Sequence, residues 1–351
     1  MLYCNTHRSR HHSIRHILGA IFLRQLLATS LPTALLGSGS YLFRFGGPSW
    51  QASPGRFQTQ LAMAACEPRM AKDTAYADAV SSARSGDELL QEDGGAALAF
   101  GFAFEPLVYE DEVGLRRLHG RLVRPTSSKN GAAVLLVHTA AGPHDVFLRW
   151  RAEVLAARGF IVLIADLLGD ESGRGWEPEW SQAARQPLVE DRSLLRRRTR
   201  ASVAALAAVE GVNPHRIGAI GYCFGGRAVL DLARLGAGAG VAAVVSFHGI
   251  LDDGVLPAAD MSAATAPRVL ICHGDADPFV SPESRAACES QLRSSGARWD
   301  MMVFGGVRHG FTNPAQLLND NPAFGFDPRA AEVSWAAAET LLLDLAKRAS
   351  S

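Results

Sequence analysis

From Phe104 onward the chain alternates two kinds of apolar pattern. Ala132–His138, Phe160–Asp166, Arg216–Tyr222, Val241–Phe247 and Arg268–His273 are short and nearly continuously apolar. Strands buried on both faces have that pattern. Between them, Phe147–Arg158, Ser193–Val209, Arg227–Ala233 and Pro282–Ser294 carry apolar residues at spacings of three and four, which predicts helices with one buried face. Trp299–Phe304 predicts a further strand and Arg329–Arg348 a long last helix. Pro106–Tyr109 and His119–Val123 read as a hairpin of edge strands. Such alternation predicts an α/β fold, a mainly parallel central sheet with helices on both faces. Gly169–Arg192 sets Trp176 and Trp180 among polar residues and is long for a connection. It reads equally as part of a lid or as a surface segment anchored by its tryptophans.

The first hundred residues break this pattern. Six of the 35 basic residues and none of the 35 acidic residues precede residue 67, so the remaining body is acidic by six. The leading segment is rich in Arg, Ser and His, and the apolar stretches of Ile14–Leu36 are interrupted by Arg24 and Pro32. Organelle transit peptides have that composition, whereas a membrane span needs about 20 apolar residues. Residues 1–66 are therefore expected to target a mitochondrion or plastid and to stay outside the fold, with a cytoplasmic location as the alternative. Residues 67–100 are expected as a linker and 101–351 as the α/β domain, without stable insertion into a membrane. A mildly acidic body gives no reason to expect nucleic-acid binding. The five cysteines, Cys4, Cys66, Cys223, Cys272 and Cys288, are spaced for neither a disulfide framework nor a zinc site. A reducing compartment fits them and keeps Cys223 a thiol.

Candidate chemistry centres on Gly221-Tyr222-Cys223-Phe224-Gly225-Gly226. Lying between a predicted strand and a predicted helix, it reads as a nucleophile elbow with cysteine at its tip. Two loops follow later strands, His273-Gly274-Asp275-Ala276-Asp277 and Gly305-Gly306-Val307-Arg308-His309. Both leave C-terminal strand ends, the edge where open α/β sheets place ligands. A cysteine attacks as a thiolate. His309 can take and return its proton, and either Asp275 or Asp277 can orient the imidazole. The N–H groups of Phe224 and of the loop after His138, at Ala140, are candidates for an oxyanion hole. Simpler readings stand beside these. Cys223 can be a small buried hydrophobe, as Cys272 and Cys288 are expected to be, and Asp166 is expected to be structural. Arg196-Arg197-Arg198 reads most simply as a solvated helix face. His138 can shape the oxyanion loop, and His248 either lines the pocket or is a satisfied structural histidine.

At the elbow, at Ser246-Phe247-His248-Gly249, at His273–Val280 and at His309-Gly310-Phe311-Thr312-Asn313-Pro314 the chain resembles the dienelactone hydrolase family of α/β hydrolases. The resemblance covers roughly 104–346. It implies the α/β-hydrolase fold and a triad of Cys223, Asp277 and His309, with Asp277 as the acid. It implies hydrolysis of a small ester or lactone through a thioester, with no cofactor and no metal. Substrate contacts are expected at His138, Thr139, His248 and Phe279. Two positions depart from the family pattern. Thr139 stands where members carry a glutamate that pairs with the thiol, and Phe311-Thr312-Asn313-Pro314 lacks the arginine that binds a substrate carboxylate. A thioesterase or broad carboxylesterase on the same triad is the near alternative. A non-catalytic ligand binder or thiol redox sensor is the alternative of another class.

Overall fold

Fully buried apolar runs form the centre of the sheet. The computed structural model describes residues 102–111, 116–128, 130–169, 178–252 and 258–347. The expected targeting segment, the expected linker and Trp176 lie outside them. The strands are β1 (Phe104–Glu110), β2 (Arg117–Val123), β3 (Ala133–Val137), β4 (Ile161–Ala165), β5 (Ile217–Tyr222), β6 (Ala243–Phe247), β7 (Arg268–Gly274) and β8 (Arg298–Phe304). They join in one sheet in the order β1-β2-β4-β3-β5-β6-β7-β8. The expected hairpin forms, with β1 antiparallel to β2 and β2 antiparallel to β4; every pair from β4 to β8 is parallel. The helices are α1 (Val146–Ala157), α2 (Pro178–Glu190), α3 (Arg192–Ala207), α4 (Phe224–Ala233), α5 (Pro282–Ser294) and α6 (Pro328–Lys347).

Strand side chains alternate between two cores. Leu135, Leu163, Ala219 and Ile271 face one layer, with Leu195 and Leu206 of α3, Val229 and Leu232 of α4 and Leu292 of α5. Leu136, Ile164, Ile220 and Val245 face the other, with Phe147 and Leu155 of α1 and Leu341, Leu342 and Leu345 of α6. Burying a Leu, Ile, Val or Phe side chain of this kind contributes about 1.5–3 kcal/mol. Asp145, Asp191 and Ser281 cap α1, α3 and α5 by accepting first-turn N–H groups, and a cap of this kind is worth about 1 kcal/mol.

Three features depart from the sequence reading. The second half of Gly169–Arg192 is the helix α2, which contains Pro187; a helix-breaking residue in a polar stretch hides it from periodicity. Trp180 is half-buried against the core, as an anchor. Arg198 is not part of a solvated face: its Nη1 donates to the Leu167 carbonyl at 2.6 Å, and its Nε lies 3.8 Å from buried Asp111. α4 begins at Phe224, three residues earlier than apolar spacing indicates, because Gly225 and Gly226 carry no side chain to mark it.

Candidate active site

Cys223 sits between β5 and α4 with φ +56° and ψ −113°. A cysteine in that region carries strain of about 1–3 kcal/mol, which the surroundings must hold. They do so on both sides. The Cys223 N–H donates to Phe247 O of β6 at 3.1 Å, and Tyr222 lies between Phe147 and Phe247, with ring centroids at 4.9 and 5.0 Å. A Cβ on Gly221 would lie 2.0 Å from Gly225 O, and one on Gly225 would lie 2.4 Å from Val137 O. The turn closes against its own helix and against the end of β3, so both positions require glycine.

The loops after β7 and β8 are stitched to each other. Asp275 N–H donates to Phe304 O at 2.9 Å and Ala276 N–H to Val307 O at 3.0 Å. His309 is pinned in turn by the 323–325 segment: its N–H donates to Ala323 O, and Gly325 N–H donates to its carbonyl, each at 3.1 Å. This framework places His309 Nδ1 2.6 Å from Asp277 Oδ2. The other carboxylate oxygen accepts from Phe279 N–H at 2.9 Å. Nδ1 therefore donates to the carboxylate, and Nε2 takes no part in that bond. That nitrogen forms no aligned hydrogen bond, yet the ring lies within electrostatic reach of the Cys223 sulfur. Burial opposes a charge on His309. The Asp277 carboxylate, followed by the Cys223 thiolate, outweighs it, and the imidazole is raised to about 10. Asp275 is exposed and its Oδ1 is 3.4 Å from Arg285, whereas Asp277 is the one of the two that lies against His309.

His309 is walled by rings. Phe279, His248 and Phe324 meet it edge-on at centroid distances of 4.8, 5.1 and 5.3 Å. His248 has φ +39°, and its Nε2 is 2.9 Å from Thr312 Oγ1. Burial, then the charge of His309, keep it well below the ordinary histidine range, so it stays neutral. Thus His248 and Phe279 stand beside the candidate triad.

His138 and Thr139 are placed differently. His138 Nε2 accepts from Leu167 N–H at 3.2 Å, so the proton is on Nδ1, which donates to Thr139 O at 2.7 Å. Burial lowers its pKa and keeps it neutral. Both ring nitrogens are thus committed to backbone, and His138 shapes the loop. Thr139 Oγ1 accepts from Ala141 N–H at 3.1 Å and lies 3.4 Å from Asp145 Oδ2, which also ties it into the loop. Because the 139–140 peptide is trans, fixing Thr139 O toward His138 turns the Ala140 N–H the opposite way. The Ala140 carbonyl accepts from the Ser181 hydroxyl and from Arg185 Nη1, the latter at 3.2 Å. Phe224 N–H opens α4 and has no partner within the helix. A helix N-terminus also favours negative charge there.

Sequence reasoning missed Phe324, Ser181 and Arg185. Their contacts span loops, and no spacing signal marks them. Among the described residues, no group of three or more His, Cys, Asp or Glu side chains is arranged to hold a metal ion. None of the described helices is long and apolar enough to cross a membrane.

A doubly covered parallel sheet with a strained elbow at β5, and an acid and a histidine at the same edge, defines an α/β hydrolase. A sequence model of the dienelactone hydrolase family matches residues 118–345, and the chain belongs to that family, whose members are hydrolases acting on ester or lactone bonds. A solved structure, a dienelactone hydrolase-like promiscuous phosphotriesterase from metagenomic libraries, is 31% identical with a TM-score of 0.62. The match covers 70% of this chain and 99% of that one. A probable 2-oxo-3-(5-oxofuran-2-ylidene)propanoate lactonase of Bradyrhizobium is 25% identical across 61% of this chain and 84% of its own length. An uncharacterised Caenorhabditis elegans protein is 32% identical across 41% of this chain and 89% of its own.

Proposed function

We propose that the chain hydrolyses a small carboxylic ester or lactone by covalent catalysis through Cys223, His309 and Asp277. The observation that carries this reading is the 2.6 Å His309–Asp277 pair beside a cysteine held at positive φ on a strand-to-helix turn. His309 takes the thiol proton through Nε2, and the sulfur attacks the carbonyl carbon. The oxyanion is received by the Phe224 and Ala140 N–H groups. Collapse of the tetrahedral intermediate breaks the C–O bond, and the imidazolium protonates the departing alkoxide, which in a lactone stays on the same molecule. Water then attacks the thioester with its proton passing to His309, and the thiol leaves with that proton. Asp277 keeps Nδ1 protonated throughout and stabilises the imidazolium.

A chromogenic acetate ester tests this. Turnover is expected to vanish in Cys223→Ala and His309→Ala, and the wild type quenched during turnover is expected to carry one acyl group on the Cys223 peptide. Undiminished turnover in Cys223→Ala overturns the reading. Ligand binding without turnover in the wild type favours a binder or sensor. A panel of lactones, esters and thioesters identifies the substrate class. A phosphotriester belongs in the same panel, given the activity ascribed to the metagenomic relative. Our proposal that residues 1–66 direct the chain to an organelle rests on composition; a fluorescent reporter fused behind them that remains cytosolic removes it.

A further inference from the structure

Behind the elbow lies a buried cluster that the reaction described above does not use. Asp231 of α4 is held by Arg192 of α3 through two contacts, at 2.6 and 2.7 Å, and by Arg234 at 2.9 Å. Arg234 is also bound by Gln291 Oε1 at 2.7 Å. Asp252, in the loop after β6, has one oxygen 2.5 Å from Arg192 Nη1 and 2.9 Å from Arg227 Nη2. Among the described residues, three guanidinium groups thus share two carboxylates, leaving one positive charge in excess. It falls on Arg227. Arg192 and Arg234 are bound with good geometry, whereas Arg227 shares a single oxygen, and its Nε and Nη2 form no aligned hydrogen bond. Yet Arg227 is 2% exposed, and an unbalanced guanidinium is costly to bury.

Arg227 lies one helical turn after Cys223, its N–H donating to Cys223 O at 3.3 Å. Side chains on a helix lean toward its N-terminus, which here is the elbow. Burial lowers the pKa of Arg227, and the Cys223 thiolate is among the negative charges that oppose this. Among the described residues, His309, backed by Asp277, acts on the sulfur, and the neutral His248 lies beside that imidazole. His138 is neutral and lies beyond the Phe224 ring, at a centroid distance of 5.8 Å. In the loop after β3, Thr139 stands next to the elbow, and the carboxylate of that loop, Asp145, is engaged by Thr139 Oγ1 at 3.4 Å and by the first-turn N–H of Phe147 at 3.0 Å. We propose that Arg227 is a positioning residue for the nucleophile, its under-compensated buried charge holding Cys223 as the thiolate alongside the His309 imidazolium. This rests on the reading of Cys223 as nucleophile.

The test is alkylation of the full-length protein with iodoacetamide across pH, read by mass spectrometry on the Cys223 peptide. In Arg227→Met the apparent thiol pKa is expected to rise by about one unit, with the acid limb of kcat/KM moving the same way. Arg227→Lys is expected to stay near the wild type. Asp252→Asn removes the shared carboxylate and is expected to shift the thiol in the opposite direction, downward. A purely structural role does not produce opposed shifts. A folded Arg227→Met with an unmoved thiol overturns the proposal. Should Arg227→Met not fold, Asp252→Asn decides, and an unmoved or raised thiol there overturns it equally. Loss of turnover in Cys223→Ala together with an unmoved thiol in these variants defeats this inference alone, whereas retained turnover in Cys223→Ala defeats the underlying reading.

Discussion

His309 and Asp277 stand 32 positions apart in sequence and are joined at 2.6 Å, each almost sealed from water. Their meeting follows from the parallel pairing of β7 with β8 and from the two backbone bonds that tie the following loops. In that enclosed setting the carboxylate acts on the imidazole at full strength, since little solvent screens it.

Asp277→Asn is expected to lower kcat about 10⁴-fold, because an amide no longer selects the Nδ1–H tautomer. The melting temperature near neutral pH is expected to fall as well, because the carboxylate that stabilises the buried imidazolium is gone. Asp275→Asn, altering an exposed side chain paired with Arg285, is expected to leave kcat near the wild type. Equal losses in the two variants count against the geometry.

The raised pKa of His309 sets a pH dependence of stability. In the folded chain the imidazole is raised to about 10, against roughly 6.5 when unfolded. The folded state binds the proton more tightly, so the stability contributed by His309 is complete below about 6.5 and is lost as pH rises through about 10. Tyr109 and Tyr222, both pushed up mainly by burial, weaken the fold on the same alkaline side. The His309 share is therefore read as the melting-temperature difference between the wild type and His309→Gln. That difference is expected to be largest near pH 6 and to shrink toward pH 10. A constant difference contradicts it.

Gly225→Ala places a methyl group 2.4 Å from Val137 O and 2.6 Å from His138 O. Neither oxygen can retreat without disturbing β3 and the loop after it. Destabilisation of about 1–3 kcal/mol or more is expected, measured by urea unfolding. An unchanged urea midpoint means that the elbow does not press on β3.

The Ala140 carbonyl is gripped by Ser181 and Arg185 of α2. Replacing both, as Ser181→Ala with Arg185→Met, is expected to lower kcat while leaving KM nearly unchanged. The loss is bounded by the roughly 10²–10³-fold that removing an oxyanion donor costs. A rise in KM with kcat preserved places the loop in substrate binding instead.

Much of the fold was legible along the chain because fully buried strands read as unbroken apolar runs. The stretches of β3 to β6 could be assigned for that reason. The elbow was legible because small residues flank a cysteine between a strand and a helix. By contrast, α2 was obscured by Pro187 and by its polar composition. Arg198 looked solvated because a run of three arginines gives no sign that one of them reaches the Leu167 carbonyl. Asp275 and Asp277 are two residues apart with the same chemistry, and only the resemblance separated them beforehand.

What the sequence by itself determined was local: which segments bury both faces, which stretches carry one apolar helical face, and which side chains could do chemistry. Periodicity and turn residues act over a few neighbours, so they survive in a linear reading. Tertiary structure decided how those groups combine. It turned Asp277 toward His309 and Asp275 toward solvent, committed both nitrogens of His138 to backbone, and closed Phe279, Phe324 and His248 around one imidazole. It also buried three arginines against two aspartates behind the elbow. Burial and distance set the strength of a charge, and neither exists until the sheet has brought distant loops to one edge.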